Sequence, residues 1–111
     1  MKRFAANRVY DISSRTMHRN AVVEIEEVSH LVDRVFALDG EVSHVQWLGG
    51  LILLCCKEPV IEAGEDFKTF LQRIEQVESI YANERCSACH VTNFNVNAME
   101  FTPTSRIRLL K

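Results

Sequence analysis

The residues best equipped for chemistry sit in one pentapeptide, Cys86-Ser87-Ala88-Cys89-His90, with two further thiols adjacent at Cys55 and Cys56. Two chemistries fit these types. The C-x-x-C-H pattern is that of c-type haem attachment, in which both thiols become thioethers and the histidine is an axial ligand. Zinc fits Cys86, Cys89 and His90 with Cys55 or Cys56 as fourth ligand. Haem attachment is normally made outside the cytoplasm and no export signal is visible, and the zinc site needs residues 86–90 to turn. In a strand, neighbours point to opposite faces, so Cys86 parts from Cys89 and Cys89 from His90, and Cys55 and Cys56 cannot both face one ion. No Gly or Pro lies within 86–90 to help a turn. A free cysteine is also among the commonest small core residues. The expectation is therefore no metal, no cofactor and no haem, with Cys86, Cys89, His90 and Cys56 as the alternative zinc set. His18, His30 and His44 lie in three separate segments without ligand spacing.

Other catalytic patterns are missing. The chain has no H-x-H, H-E-x-x-H or G-x-S-x-G, and Gly49-Gly50 reads as a bulge or strand junction, not a phosphate loop. Cys89 and His90 diverge in a strand and make no nucleophile–base pair. No catalytic residue is assigned, and no enzyme activity is expected.

The elements that position these residues follow from periodicity. The 111 residues are 47% hydrophobic and 25% charged, which suits one domain over 1–111. Strands are read at Phe4–Tyr10, at Ala21–Glu26 with Val23 and Ile25 on one face, and at Leu31–Leu38. Further strands follow at Val42–Trp47 and at Leu51–Cys56, which is apolar on both faces and hence central. The last two are Cys89–Val96 and Arg106–Leu110. Between 65 and 81, Phe67, Phe70, Leu71, Ile74, Val77 and Tyr81 recur at three and four residues and define one amphipathic helix. The fold class is α+β: mostly β, a small sandwich or roll of six to seven strands, with the helix on one face. The predicted core comprises Val23, Ile25, Val35, Phe36, Trp47, Leu51, Leu53, Phe70, Leu71, Ile74 and Val77. Glu24 and Glu26 are expected on the solvent face.

Charge is uneven along the chain. Lys2, Arg3, Arg8, Arg15, Arg19, Arg106, Arg108 and Lys111 against Asp11 give the two ends +7, leaving −9 for residues 21–104. The longest apolar run, Trp47–Cys56, is too short to span a bilayer, and no apolar stretch follows Met1-Lys2-Arg3 as an export signal would require. The expected setting is cytoplasmic, with reduced thiols.

Residues 4–54 resemble the N-terminal part of metal-dependent amidohydrolases. The parallels are Arg8-Val9-Tyr10-Asp11, Val22-Val23-Glu24-Ile25-Glu26-Glu27, Leu31–Leu38 and Leu48-Gly49-Gly50-Leu51-Ile52-Leu53-Leu54. The resemblance implies the small β-sandwich called the composite domain, completed by strands from the chain's C-terminal end, which suits Arg106–Leu110. The family's metal site and its (β/α)₈ barrel have no counterpart: Cys55-Cys56-Lys57-Glu58 stands where H-x-H would begin. The resemblance implies a fold without the activity. With basic ends brought together against an acidic middle, the expected behaviour is a homodimer or partner-binding domain. Weak nucleic-acid binding through the basic terminal strands is the less favoured alternative, because only Phe4 and Tyr10 are interleaved with those charges.

Overall fold

In a computed structural model, described over residues 1–40, 43–81 and 84–111, the chain begins with a long antiparallel hairpin. β1 (Lys2–Asp11) and β2 (Thr16–Ile25) pair from Lys2 opposite Ile25 to Asp11 opposite Thr16. Asp11 closes the turn by accepting from the Ser13 N–H at 3.1 Å and its hydroxyl at 2.9 Å. Asn20, at φ +46°, interrupts the ladder opposite Asn7, a conformation asparagine tolerates better than most residues.

β3 (Val32–Ala37) pairs antiparallel with β2, and β4 (Val45–Trp47) runs parallel to the first half of β1. β5 (Leu51–Cys55) takes over the same edge of β1, parallel to its second half. The handover is Gly49-Gly50, at φ +71° and +63°. There Asn7 Oδ1 accepts the Gly50 N–H at 2.8 Å, and a side chain at 50 would press on the Val91 carbonyl at 3.4 Å. The glycine pair is thus a strand junction, as its sequence suggests. The expected strand from Val42 begins at Val45; Val42 itself lies outside the described residues.

After β5 comes α1 (Phe67–Glu78), then a 3-10 turn at Ser79–Tyr81. Asp66 is its N-cap, accepting the Thr69 N–H at 2.7 Å. β6 (Ser87–Thr92) and β7 (Arg106–Leu109) complete a seven-stranded mixed sheet, ordered β3-β2-β1-β5-β6-β7 with β4 beside β1. The strand expected over Cys89–Val96 starts earlier and stops at Thr92. Asn93, at φ +52°, turns the chain there, and Phe94 inserts its ring toward the helix.

The sheet curls on itself. Leu31 bridges to Ser87, and the Val32 N–H donates to the Cys86 carbonyl at 2.8 Å, so the start of β3 meets the start of β6. Curling buries the inner face around Phe4, Ala6, Val23, Ile25, Ile52, Leu54 and Leu110. The outer face of β5 and β6 is covered by α1 through Phe67, Phe70 and Ile74, which pack with Leu51, Leu53, Cys55, Cys89 and Val91. Each face thus acquires a cover, as any apolar sheet must. Most of the expected core is buried, but Trp47 is 52% exposed. It lies in line with Ala5, Val22 and Phe36 on the outer face of the sheet, away from α1. Val35, Phe36, Leu71 and Val77 are half-buried.

Candidate functional site

β6 is a strand through the entire pentapeptide except Cys86, so the turn needed by a four-ligand site is not formed. The thiols instead make two pairs on opposite faces of β5 and β6. Cys55 Sγ lies 3.8 Å from Cys89 Sγ under α1. Cys56 Sγ lies 3.9 Å from Cys86 Sγ, with Cys86 packed against the inner core. His90 is directly opposite Ile52, on the inner face, where its Nε2 is 3.1 Å from the Gly49 carbonyl. Burial lowers the His90 pKa, helped by Arg108 and opposed by the Gly49 contact. The neutral ring therefore carries its hydrogen on Nε2 and donates it to Gly49. Among the described residues, no three His, Cys, Asp or Glu side chains converge as metal ligands would.

Three of the thiols are held above the ordinary thiol range. Burial pushes Cys86 up to about 12, and burial with the Glu78 carboxylate raises Cys56. The Cys55 thiol is raised by its hydrogen bond to Cys89, then by burial. These thiols are poor nucleophiles, since the thiolate is the reactive form. Native protein at pH 8 is expected to react with a thiol reagent over hours at all four cysteines, and within seconds to minutes once denatured without reductant. One equivalent of fast-reacting native thiol would contradict this placement. The sign for stability follows: thiols raised in the folded state stabilise it below the ordinary thiol range, about 8.5, and that contribution is lost as pH rises further.

Two clefts gather charge of opposite sign. The first, about 780 Å³, opens between the 58–66 segment and the 100–107 segment. Its walls include Glu58, Glu62, Glu65, Asp66 and Glu100 against one cation, Arg106. The second, about 600 Å³, lies between the start of β1, β4 and the end of β7. It gathers Lys2, Arg3, Arg108 and Lys111, with His44 and no carboxylate side chain. β1 and β7 do not lie side by side, because β5 and β6 intervene in the sheet. Their ends nevertheless meet here, with Lys2 Nζ donating to the Lys111 carbonyl at 2.9 Å.

The acids in and just before α1 are engaged within the molecule. Arg73 engages Glu65 at 2.8 Å, Asp66 caps the helix, Glu75 accepts the Tyr10 hydroxyl at 3.1 Å, and Glu78 is buried and accepts the Cys56 N–H at 2.6 Å. Of the acids lining the cleft, Glu58, Glu62, Asp66 and Glu100 are exposed, and Glu62 also lies 3.5 Å from Arg73. Glu58 and Glu62 lie in the 56–66 connection and Glu100 in the 93–105 loop, so no periodic pattern linked them. The stacking residues of the nucleic-acid reading are also occupied: Phe4 is 8% exposed inside the roll, and Tyr10 is turned to Glu75.

Compared with family models, with curated proteins and with solved structures, the chain matches none.

Proposed function

We propose that this chain is a non-catalytic β domain of the amidohydrolase composite type, standing without a barrel, that acts in the cytoplasm by associating with a copy of itself. The observation that carries the reading is the pair of clefts of opposite sign on one molecule, the acidic one at the start of β7 and the basic one at its end. Complementary charge steers encounter and fixes orientation, and a small domain gains from burying further apolar surface in an oligomer. The thiol pairs supply no nucleophile in this reading; they fill the core on both faces of β5 and β6.

Sedimentation at about 50 µM protein tests it, in about 50 mM and about 500 mM salt. The expected result is a dimer at low salt that dissociates as salt rises. Monomer under both conditions would refute the reading. Retention on a DNA column that is lost with salt, by a protein that sediments as a monomer, would favour the nucleic-acid alternative instead.

A further inference from the structure

β7 is an edge of the sheet, paired only with β6. The Leu110 N–H donates to the Ala88 carbonyl at 2.8 Å, which makes 110 and 88 a hydrogen-bonded pair. Antiparallel bonding alternates, so Arg106 and Arg108 also bond to β6, whereas the N–H and C=O groups of Ile107 and Leu109 turn outward. Among the described residues nothing pairs with that outward row. Unpaired strand edges are templates for another strand.

The surroundings of the edge are also polarised. Ile107 lines the acidic cleft and Leu109 the basic one, so clefts of opposite sign flank the two ends of this strand, whose own charged residues, Arg106 and Arg108, are both basic. A strand so marked is complementary to its own antiparallel copy. β3, at the other end of the sheet order, is less suited: its start is already held by Ser87 and Cys86 of β6.

We infer that two copies of the chain pair antiparallel through β7, about a twofold axis at Leu109. This rests on the self-association proposed above and names the surface. The odd-numbered residues that turn their backbone groups outward then face one another, Leu109 against its copy and Ile107 against the copy's Lys111, whose carbonyl also accepts Lys2 Nζ at 2.9 Å. The half-buried Leu109 side chains meet at the axis. Each Lys111 reaches the rim of the other molecule's acidic cleft, and each Arg108 lies across from the copy's Leu110, so the guanidinium groups of the two strands are not placed opposite each other. The twofold makes the contact self-complementary and closes it at two chains, where an uncapped edge would go on to polymerise.

Leu109→Pro is the discriminating variant. It removes an N–H that faces away from β6, so the β6–β7 ladder keeps its bonds while strand addition is blocked. Sedimentation equilibrium of the full chain, without an affinity tag, is run for wild type and variant at low salt, with circular dichroism to check the fold. The expected result is a dimer for wild type and at least about tenfold weaker association for a folded Leu109→Pro. A wild-type monomer at low and high salt would overturn both the self-association reading and this interface. A wild-type dimer with a folded Leu109→Pro dimer of equal affinity would overturn the β7 interface alone. If Leu109→Pro does not fold, Lys111→Glu decides, because Lys111 is exposed and adds nothing to the core. Weakening by about fivefold or more supports the inference, and unchanged affinity overturns it.

Discussion

Phe70→Ala is expected to lower the free energy of unfolding by about 3–5 kcal/mol, the range for deleting a fully enclosed aromatic ring. Phe70 is 0% exposed, at the centre of the α1 face. Its ring stacks on Phe67 at 6.2 Å and receives the edge of Phe101 at 5.1 Å, and Phe67 in turn meets Phe94 at 4.9 Å. These four rings tie the helix to the 93–105 loop, which has little regular structure of its own. The Arg73 guanidinium lies 5.6 Å from the Phe70 ring and closes its solvent side. Truncation opens a cavity whose walls are strands on one side and three rings on the other, so collapse is limited. Leu71, the neighbour that periodicity places on the same stripe, is only half-buried, and Leu71→Ala should cost about 1 kcal/mol. Urea unfolding followed by circular dichroism measures both. A Phe70→Ala loss below about 1 kcal/mol, or a Leu71→Ala loss exceeding it, would show that α1 is rotated from this placement.

The contrast between Phe70 and Leu71 shows what the chain's pattern conveys. Periodicity reports which residues share a side of a helix, and Phe67, Phe70 and Ile74 are indeed the buried line. It does not report the centre of that line, which depends on what the sheet and the later loop bring against it. Alternation located β2 in the same way, and an unbroken apolar run located β5. Trp47 shows the limit: Val45 and Trp47 share a side, but that side is the outer face of the sheet, away from α1. A strand's period is two, so sequence identifies its two faces without saying which is inside. The curl that buries the other face brings the start of β3 to the start of β6, through Leu31 with Ser87 and Val32 with Cys86, contacts distant in sequence that leave no local mark. The candidate site was legible in part. The strand read over Cys89–Val96 overlaps β6 from Cys89 to Thr92, which suffices to separate Cys89 from His90. The pairing of Cys55 with Cys89 and of Cys56 with Cys86 is set by the β5–β6 register. The two ends of the chain do share a basic cleft, yet across a gap and not as neighbouring strands, because β7 attaches to β6.

Glu24 is the second residue whose loss should be large, and there alternation alone misleads. It occupies a polar position in β2, yet it is 5% exposed, because Arg3 of β1 and Arg34 of β3 are its direct cross-strand partners. Arg3 Nε donates to one carboxylate oxygen at 2.8 Å and Arg34 Nε to the other at 3.2 Å. The Arg34 guanidinium also lies over the Phe36 ring at 4.5 Å. Three strands are thus joined by one carboxylate, and without it two guanidinium groups would face each other. Removing one member of a fully buried ion pair costs about 3–5 kcal/mol, but Arg3 and Arg34 retain 30% and 60% exposure and can turn to water. Glu24→Gln, which keeps shape and one acceptor, should therefore cost about 1–3 kcal/mol at pH 7. The hydrogen bond from Arg3 and then that from Arg34 hold the Glu24 pKa below the ordinary glutamate value, against the opposing effect of burial. A carboxyl depressed in the folded state stabilises it at pH above the unfolded value, about 4.3, and that contribution is lost as pH falls through the lower folded value. Protonated Glu24 is nearly the isostere of glutamine, so the difference between wild type and Glu24→Gln should be constant from about pH 8 to about pH 5.5 and shrink toward zero below pH 4. Unfolding free energies of both proteins at pH 7, 5 and 3 measure it. A difference that holds constant or grows on acidification would show that the Arg3–Glu24–Arg34 pairing contributes nothing to stability.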